Sequence, residues 1–201
     1  MLALLLAAAA GPMLPPLDRA LTFTDYPAAA LQDDLSAAAL AEIAIAPDGR
    51  VTACKAVQRF GDARLANGIC AIVARKTLRG ATFRDGTPAP AYVTELVRLT
   101  LPGTRTGDAV AAIDQQPDAT LAVSRLPDGA ASADLRLVIA VDPQGAVTDC
   151  AADPARETAA PALVAAVCAN HAQWRRPAHP AGAPVAYVSS LKVRVTAAAQ
   201  P

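Results

Sequence analysis

The sequence predicts an α+β protein made of two tandem small domains, each with a three-stranded antiparallel sheet and a helix packed on one face. Three observations predict this fold class: a repeat at an offset of 96 residues, runs of alternating apolar residues, and apolar residues at helical spacing. Each domain reads ββαβ after a lead-in segment. The predicted boundaries are 19–102 for the first domain, 103–117 for a linker and 118–197 for the second domain.

The repeat relates the stretch IAPDGRVTAC, residues 45–54, to VDPQGAVTDC, residues 141–150. The cysteines that end these stretches, Cys54 and Cys150, keep this offset. It also relates three further pairs, namely Gly86 and Gly182, Pro88 and Pro184, and Val97 and Val193. Cys70 and Cys168 are 98 residues apart, which indicates a two-residue insertion in the second copy. An offset held over about fifty residues is too long for a shared turn, so it indicates two homologous units.

Two strands joined by a turn begin each unit. Residues 135–141 alternate large apolar side chains with others, and Ile43 and Ile45 occupy the matching places. The sequences PDG and PQG predict hairpin turns, because glycine readily adopts a positive φ. The second strands are predicted at two matching ranges, 50–57 and 146–151.

A helix and a closing strand complete each unit. The helices are predicted from apolar residues at helical spacing, Leu65, Ile69 and Ile72 in the first copy and Leu163, Val167 and Trp174 in the second. Pro161 stands near the start of the second helix, where proline is tolerated. The closing strands are predicted at 91–101 and 185–196.

The segments before each unit match more weakly. LTFTDYP at 21–27 corresponds to LAVSRLP at 121–127, and a short helix is predicted after Pro27 only in the first copy. The linker, 103–117, is polar and charged, and it is predicted to be a solvated, flexible tether.

Composition excludes several classes of function. The formal net charge of the 201 residues is zero, so the basic surface typical of nucleic-acid binding is not expected. We find no Gly-rich phosphate loop, nucleophile elbow or paired carboxylates, and therefore predict neither an enzyme nor a cofactor nor a metal site. Asp48 and Asp85 fall in predicted turns, and His171 is interpreted as a helix-surface or packing residue.

The first ten residues, MLALLLAAAA, form an apolar run that is too short to span a bilayer of about 30 Å. The run resembles the apolar region of a signal peptide, with Ala8 and Ala10 as the small residues of a cleavage site, although no basic residue precedes it. We therefore predict an exported protein. Two alternatives stay open at this point: the segment is cleaved, or it remains as an anchor.

Four cysteines allow three disulfide connectivities. Only the pairing of Cys54 with Cys70 and of Cys150 with Cys168 respects the duplication, and it joins a strand to a helix in each copy. The alternative, redox or metal chemistry, has little support because no C-x-x-C motif is present. We predict two structural disulfides.

The ordered series of motifs resembles the C-terminal domain of TonB-type energy transducers. The first copy carries DYPAAAL, then IAPDGRVTAC, an apolar helix, FRDGTPAPAYV and a closing strand, from about Asp25 to Pro102. The second copy matches from about Leu135 to Thr196 but lacks the Tyr-Pro element. The turn motif is common, and it is the ordered series, present twice, that carries the resemblance.

The resemblance implies a periplasmic protein-binding module. Its sheet edge is expected to receive an extended peptide from an outer-membrane transporter, by strand addition, in energy-coupled transport. The implied edge is the strand 91–101, with Tyr92, Thr94, Leu96 and Arg98 as its peptide-binding residues, and its counterpart is 187–195. The alternative is an envelope scaffold protein whose paired domains pack on each other and leave no open sheet edge.

The sequence departs from the family in one respect. Energy transducers of this family have an N-terminal transmembrane anchor and a long Pro-rich spacer, and neither is seen here. If the apolar start is cleaved, no anchor is expected, and the implied protein is a soluble binding module rather than a transducer.

Overall fold

One mixed β-sheet joins the two halves of the chain. The computed structural model describes residues 11–14, 17, 21–126, 129–177, 179 and 184–198, and the predicted signal segment 1–10, with Ala8 and Ala10, lies outside them. The strands are β1 (Ala37–Ile45), β2 (Val51–Gly61), β3 (Ala81–Thr82), β4 (Pro88–Ala89), β5 (Ala91–Leu99), β6 (Ala119–Val123), β7 (Ser132–Val141), β8 (Val147–Ala152) and β9 (Tyr187–Ala197). The helices are α1 (Ala28–Gln32), α2 (Ala63–Val73), α3 (Arg105–Ala111) and α4 (Pro161–Cys168). Among the described residues, no helix has the length and apolar character needed to cross a membrane.

The order of the main sheet is β2-β1-β5-β9-β7-β8, and β6 pairs with β9 beside this path. Each half contributes three antiparallel strands, β2-β1-β5 and β9-β7-β8. The halves meet where β5 and β9 run parallel, with Ala91 opposite Val188. The predicted α+β class is therefore confirmed, but the two separate three-stranded sheets are not observed, because the halves share one mixed sheet of seven strands.

The helices α2 and α4 cover opposite faces of this sheet. Ala91 and Val188 are register partners whose side chains share a face, and both belong to the apolar core that contains the residues of α2. Tyr187 precedes Val188, and it belongs to the core that contains the residues of α4. Successive strand residues point to opposite faces, so the apolar core changes sides of the sheet at the junction.

Both helices begin at residues suited to a helix N-terminus, and the position of Pro161 was predicted. Asp62 caps α2 by accepting a hydrogen bond from the backbone N–H of Leu65 at 2.9 Å. The apolar residues predicted to face the core in α2 are buried, namely Leu65, Ile69 and Ile72. Pro161 is the first residue of α4 and Val167 is buried, whereas Trp174 lies beyond the helix and is half-buried.

Glycine is required in the turn of each hairpin. Gly49 has a φ of 86° and Gly145 a φ of 83°, a region that other residues rarely adopt. A Cβ atom would lie 1.9 Å from the carbonyl oxygen of Leu78 at the first position and 2.4 Å from that of Arg176 at the second. The hairpin turns predicted from PDG and PQG are thus confirmed. The positive φ that was the reason to expect glycine in them is confirmed as well.

The linker 103–117 does not form the solvated tether that its composition predicts. It contains α3, which Thr104 caps by accepting a hydrogen bond from the backbone N–H of Gly107 at 3.0 Å. Val110 is only 3% exposed and packs with Leu96 on the sheet face opposite α2. The linker is ordered here because it covers apolar side chains of the first half that would otherwise face water.

The two lead-in segments fold differently. The first contains a short 3-10 turn at Phe23–Asp25, and α1 follows Pro27, as predicted. The second forms β6, while Pro127 at its end lies outside the described residues. The weak match between these segments therefore does not correspond to a shared structure.

Candidate functional site

The four predicted peptide-binding residues lie on β5, but β5 is not an edge of the sheet. It is placed between β1 and β9. The backbone N–H of Val188 donates to the carbonyl of Pro90 at 2.9 Å, which joins the start of β5 to β9. The predicted open edge along 91–101 is therefore corrected at its start only: β9 of the second half pairs with β5 at Ala91, which is a copy-against-copy contact of the kind that the alternative prediction describes.

The backbone groups of Tyr92, Thr94, Leu96 and Arg98 face away from β1. This direction follows from two contacts: the hydroxyl of Ser189 donates to the carbonyl of Tyr92 at 2.6 Å, and the Gln115 side-chain amide donates to that of Thr94 at 3.1 Å. Alternate strand residues direct their backbone groups to the same side. Within the described parts of the chain, the outward N–H and C=O groups of Leu96 and Arg98 have no hydrogen-bond partner.

The side chains of these four residues have separate environments. Tyr92 packs against Tyr187 and His179, with ring centroids 6.2 and 6.0 Å apart. Leu96 is buried beside α3, and the guanidinium of Arg98 donates to the carbonyl of Ile113. A ligand could therefore bind the backbone N–H and C=O groups at the end of β5 rather than these side chains.

The aromatic cluster at the junction is a packing unit. Tyr187 is fully buried, and its hydroxyl donates to the carbonyl of Pro177 at 2.6 Å. Burial raises the pKa of Tyr187 to about 12, and burial also lowers the pKa of His179. Both groups are therefore neutral near pH 7, which suits an apolar contact between the two halves.

The counterpart edge, on β9, is filled by the chain itself. β6 lies parallel to the end of β9, with Ala119–Val123 opposite Val193–Ala197. Asp118 begins this pairing, because its N–H donates to the carbonyl of Lys192 at 2.7 Å and its carboxylate accepts from the N–H of Lys192 at 2.8 Å. The predicted edge 187–195 is therefore covered by β5 at Val188 and by Asp118 and β6 from Lys192 onward.

A segment with charged side chains, residues 113–118, runs between the ends of β5 and β9. Lys192 is 5% exposed, and its Nζ donates to both carboxylate oxygens of Asp114, at 2.9 and 3.0 Å, and to the carbonyl of Gln115 at 2.6 Å. The hydrogen bond from Lys192 lowers the pKa of Asp114. Arg194 lowers the pKa of Asp134, which it contacts at 2.7 Å through two nitrogens.

Stability is expected to fall in acid because of these two aspartates. Their pKa values in the folded protein are below the ordinary 3.8, so their contribution is complete above that value and is lost as the pH falls through the folded values. We predict a lower melting temperature at pH 3 than at pH 7. The double variant Asp114→Asn/Asp134→Asn should show a smaller decrease between these pH values; an unchanged decrease would contradict the assignment.

A cleft of about 340 Å³ opens beside the end of β5. Its walls combine apolar side chains with four charged residues from both halves, and they are Leu17, Leu21, Glu95, Leu96, Val97, Arg98, Arg136 and Arg156. Glu95 and Arg156 form an ion pair at 2.9 Å that is 13% and 15% exposed. The unpaired backbone of Leu96 and Arg98 borders this cleft, so we take the cleft and the end of β5 together as the candidate site and name it the β5 notch.

The predicted disulfides are confirmed. Cys54 bonds to Cys70 and Cys150 to Cys168, each with a Cα–Cα distance of 5.4 Å. One joins β2 to α2 and the other joins β8 to α4. Disulfides persist in oxidising compartments, so this pair of bonds indicates an exported protein.

Asp48, Asp85 and His171 make local contacts within turns and at a helix end. Asp48 accepts a hydrogen bond from the backbone N–H of Arg50 at 3.0 Å, and Asp85 accepts one from that of Thr87 at 2.9 Å. His171 Nδ1 lies 2.7 Å from the carbonyl oxygen of Cys168 at the end of α4. Each of these contacts is local, and none brings two reactive groups together.

Some residues in or beside the notch have no signal in the sequence that marks them. Gln115 belongs to the predicted tether, and Arg136 alternates with apolar residues as an ordinary solvent-facing strand residue does. Lys192 offers a weak signal, since Lys192 and Arg194 make one face of an apolar strand charged.

Comparison with protein-family models, curated proteins and solved structures finds no match for this chain.

Proposed function

We propose that the chain is a periplasmic protein-binding module of the TonB C-terminal type, in which an extended peptide adds as a strand at the β5 notch. The observation that carries this proposal is the outward-facing backbone of Leu96 and Arg98 beside a cleft, which no described residue pairs. In this proposal the two halves are tandem copies of one ββαβ unit. Equivalent disulfides and equivalent hairpin glycines in the two halves support that relation.

Strand addition suits the end of β5 physically. Each net hydrogen bond between a peptide and a strand contributes about 1 kcal/mol, and two strand residues with both groups outward offer up to four. The cleft supplies apolar surface from Leu17, Leu21 and Val97 for the side chains of the added strand. The expected ligand is a short extended peptide, such as the periplasmic end of an outer-membrane transporter.

The outer strands of the sheet are poorer docking edges. The register of β2 against β1 shifts at two places, which leaves Thr52 and Val57 of β2 without a register partner. β2 also carries the exposed residues Lys55 and Arg59. Bulges and charged residues are features that prevent strand addition at an edge. β8 is a short strand of six residues, and the residue before it, Ala146, is bridged to Arg175.

Arg98→Pro is expected to weaken peptide binding by about tenfold or more, because proline removes the outward N–H and its ring obstructs an approaching strand. Arg98→Ala is the matched control, since it removes the exposed side chain and keeps the N–H. Binding is measured by calorimetry on the full chain with synthetic peptides copied from the periplasmic N-terminal segments of outer-membrane transporters. Equal affinities for the two variants would refute binding at this position.

The second candidate function is an envelope scaffold protein. The joining of β5 to β9 and the pairing of β6 with β9 favour it, because both close edges that a binding module leaves open. A scaffold of this kind binds none of the transporter peptides. Failure of every such peptide to bind the wild-type chain would therefore favour the scaffold.

A further inference from the structure

We propose that the β5 notch selects peptides that carry a carboxylate, and that Arg136 binds this group. The inference rests on the proposed function and adds the chemical class of the ligand. It also makes the site composite, because the first half supplies the backbone of β5 and the second half supplies the arginine.

Among the described residues, the charged ones that line the cleft are three arginines and one glutamate. Glu95 is engaged by Arg156 at 2.9 Å, so its charge is compensated within the wall. The guanidinium of Arg98 donates to the carbonyl of Ile113, in the linker segment. The described lining of the cleft therefore has an excess of positive charge, and Arg136 is the arginine that no such side-chain contact engages in this part of the chain.

Arg136 is half-buried on β7, directly opposite Lys192 of β9. Its side chain makes no hydrogen bond or ion pair with any residue that the structure describes, and it faces a like charge, an unfavourable arrangement across a pair of strands. The nearby carboxylate of Glu157 is occupied by backbone N–H groups, those of Arg136 at 2.5 Å and Ala159 at 2.6 Å. An incoming carboxylate would satisfy the guanidinium without displacing an existing partner.

A carboxylate is the group that suits this position. The guanidinium presents two parallel N–H donors that match the two oxygens of a carboxylate, and partial burial strengthens the pair. Leu17, Leu21 and Val97 provide an apolar wall beside it. The ligand is thus an extended peptide in which an apolar side chain lies near an aspartate, a glutamate or a free C-terminus.

The test is selection from randomised hexapeptide libraries on the full chain, with one library amidated at the C-terminus and one carrying a free carboxylate. We expect enrichment of Asp or Glu at one position of the amidated peptides, or enrichment of the free-carboxylate library. Arg136→Gln should abolish this enrichment and weaken the selected peptides by about tenfold to a hundredfold. Arg136→Lys should retain part of the affinity, because the charge stays and the paired donors are lost.

Arg59→Gln is the matched control, an exposed arginine on β2 outside the cleft, and it should leave selection unchanged. Thermal denaturation of each variant verifies that the fold is retained. Selected peptides with neither acidic enrichment nor a preference for the free C-terminal carboxylate, or a preference that survives Arg136→Gln, would overturn the inference and leave the proposed function standing. If neither library gives peptides that bind the wild-type chain, the proposed function fails, and this inference fails with it.

Discussion

Replacing all four cysteines by alanine is expected to lower the free energy of unfolding by about 6 kcal/mol. The two disulfides close loops with sequence separations of 16 and 18 residues, and a bond that closes a loop of this size contributes about 3 kcal/mol by restricting the unfolded chain. The chain has few large aromatic residues to compensate, since Phe, Trp and Tyr make up 3% of it. This is the largest effect that we predict for any change.

Urea denaturation followed by circular dichroism measures this loss. The matched variants are Cys54→Ala/Cys70→Ala and Cys150→Ala/Cys168→Ala, each of which should lose about half of the total. The bonds lie in different halves of the sheet, so their effects should be close to additive. An unchanged denaturation midpoint for the variant without cysteines would show that the disulfides do not stabilise the fold.

The second large effect is expected at Tyr187. Tyr187→Ala should lower the free energy of unfolding by about 3–5 kcal/mol, because it removes a fully buried ring and leaves a cavity. The ring contacts Tyr92 of the first half, with 6.2 Å between the ring centroids, so the variant loses packing contacts at the junction between the halves. Separate unfolding of the two halves in the variant is a further expected result.

Tyr187→Phe is the control for this variant. It keeps the ring and removes only the hydroxyl that donates to the carbonyl of Pro177, so it should cost about 1 kcal/mol. Chemical denaturation monitored by tyrosine fluorescence and by circular dichroism compares the two variants. Similar losses for both would mean that the hydrogen bond, and not the packing of the ring, holds the junction.

The parts of the fold that depend on local chemistry could be predicted from the sequence. The hairpins follow from Gly49 and Gly145, the helix from apolar spacing around Leu65, and the disulfides from the repeat. The joining of the halves could not be predicted in the same way. It depends on a parallel contact between Ala91 and Val188, residues that are far apart in sequence and carry no local signal for pairing.

The candidate site was predicted only in part for the same reason. The residues whose backbone faces outward on β5 could be identified from alternation, and Leu96 and Arg98 remain outward-facing. The outward backbone carbonyls of the other two predicted residues are bound by Ser189 and Gln115, which belong to distant segments of the chain. Arg136 lies at the notch because the order of the strands in the sheet brings β7 close to β5. That order depends on pairing between distant strands, which the sequence pattern does not reveal.

The parallel meeting of β5 and β9, with helices on opposite faces, has a consequence for stoichiometry. A rotation of 180° about an axis parallel to the strands would place one half on the other, because it keeps the strand direction and exchanges the two faces of the sheet. In a symmetric dimer built in this way, the edges of β5 and of β9 would be equivalent. In one continuous chain the two edges can differ, and here the connection that leads into β6 closes only the edge of β9. Within the described residues the β5 notch therefore has no counterpart on β9, and under the proposed function a peptide would bind there as one copy per chain.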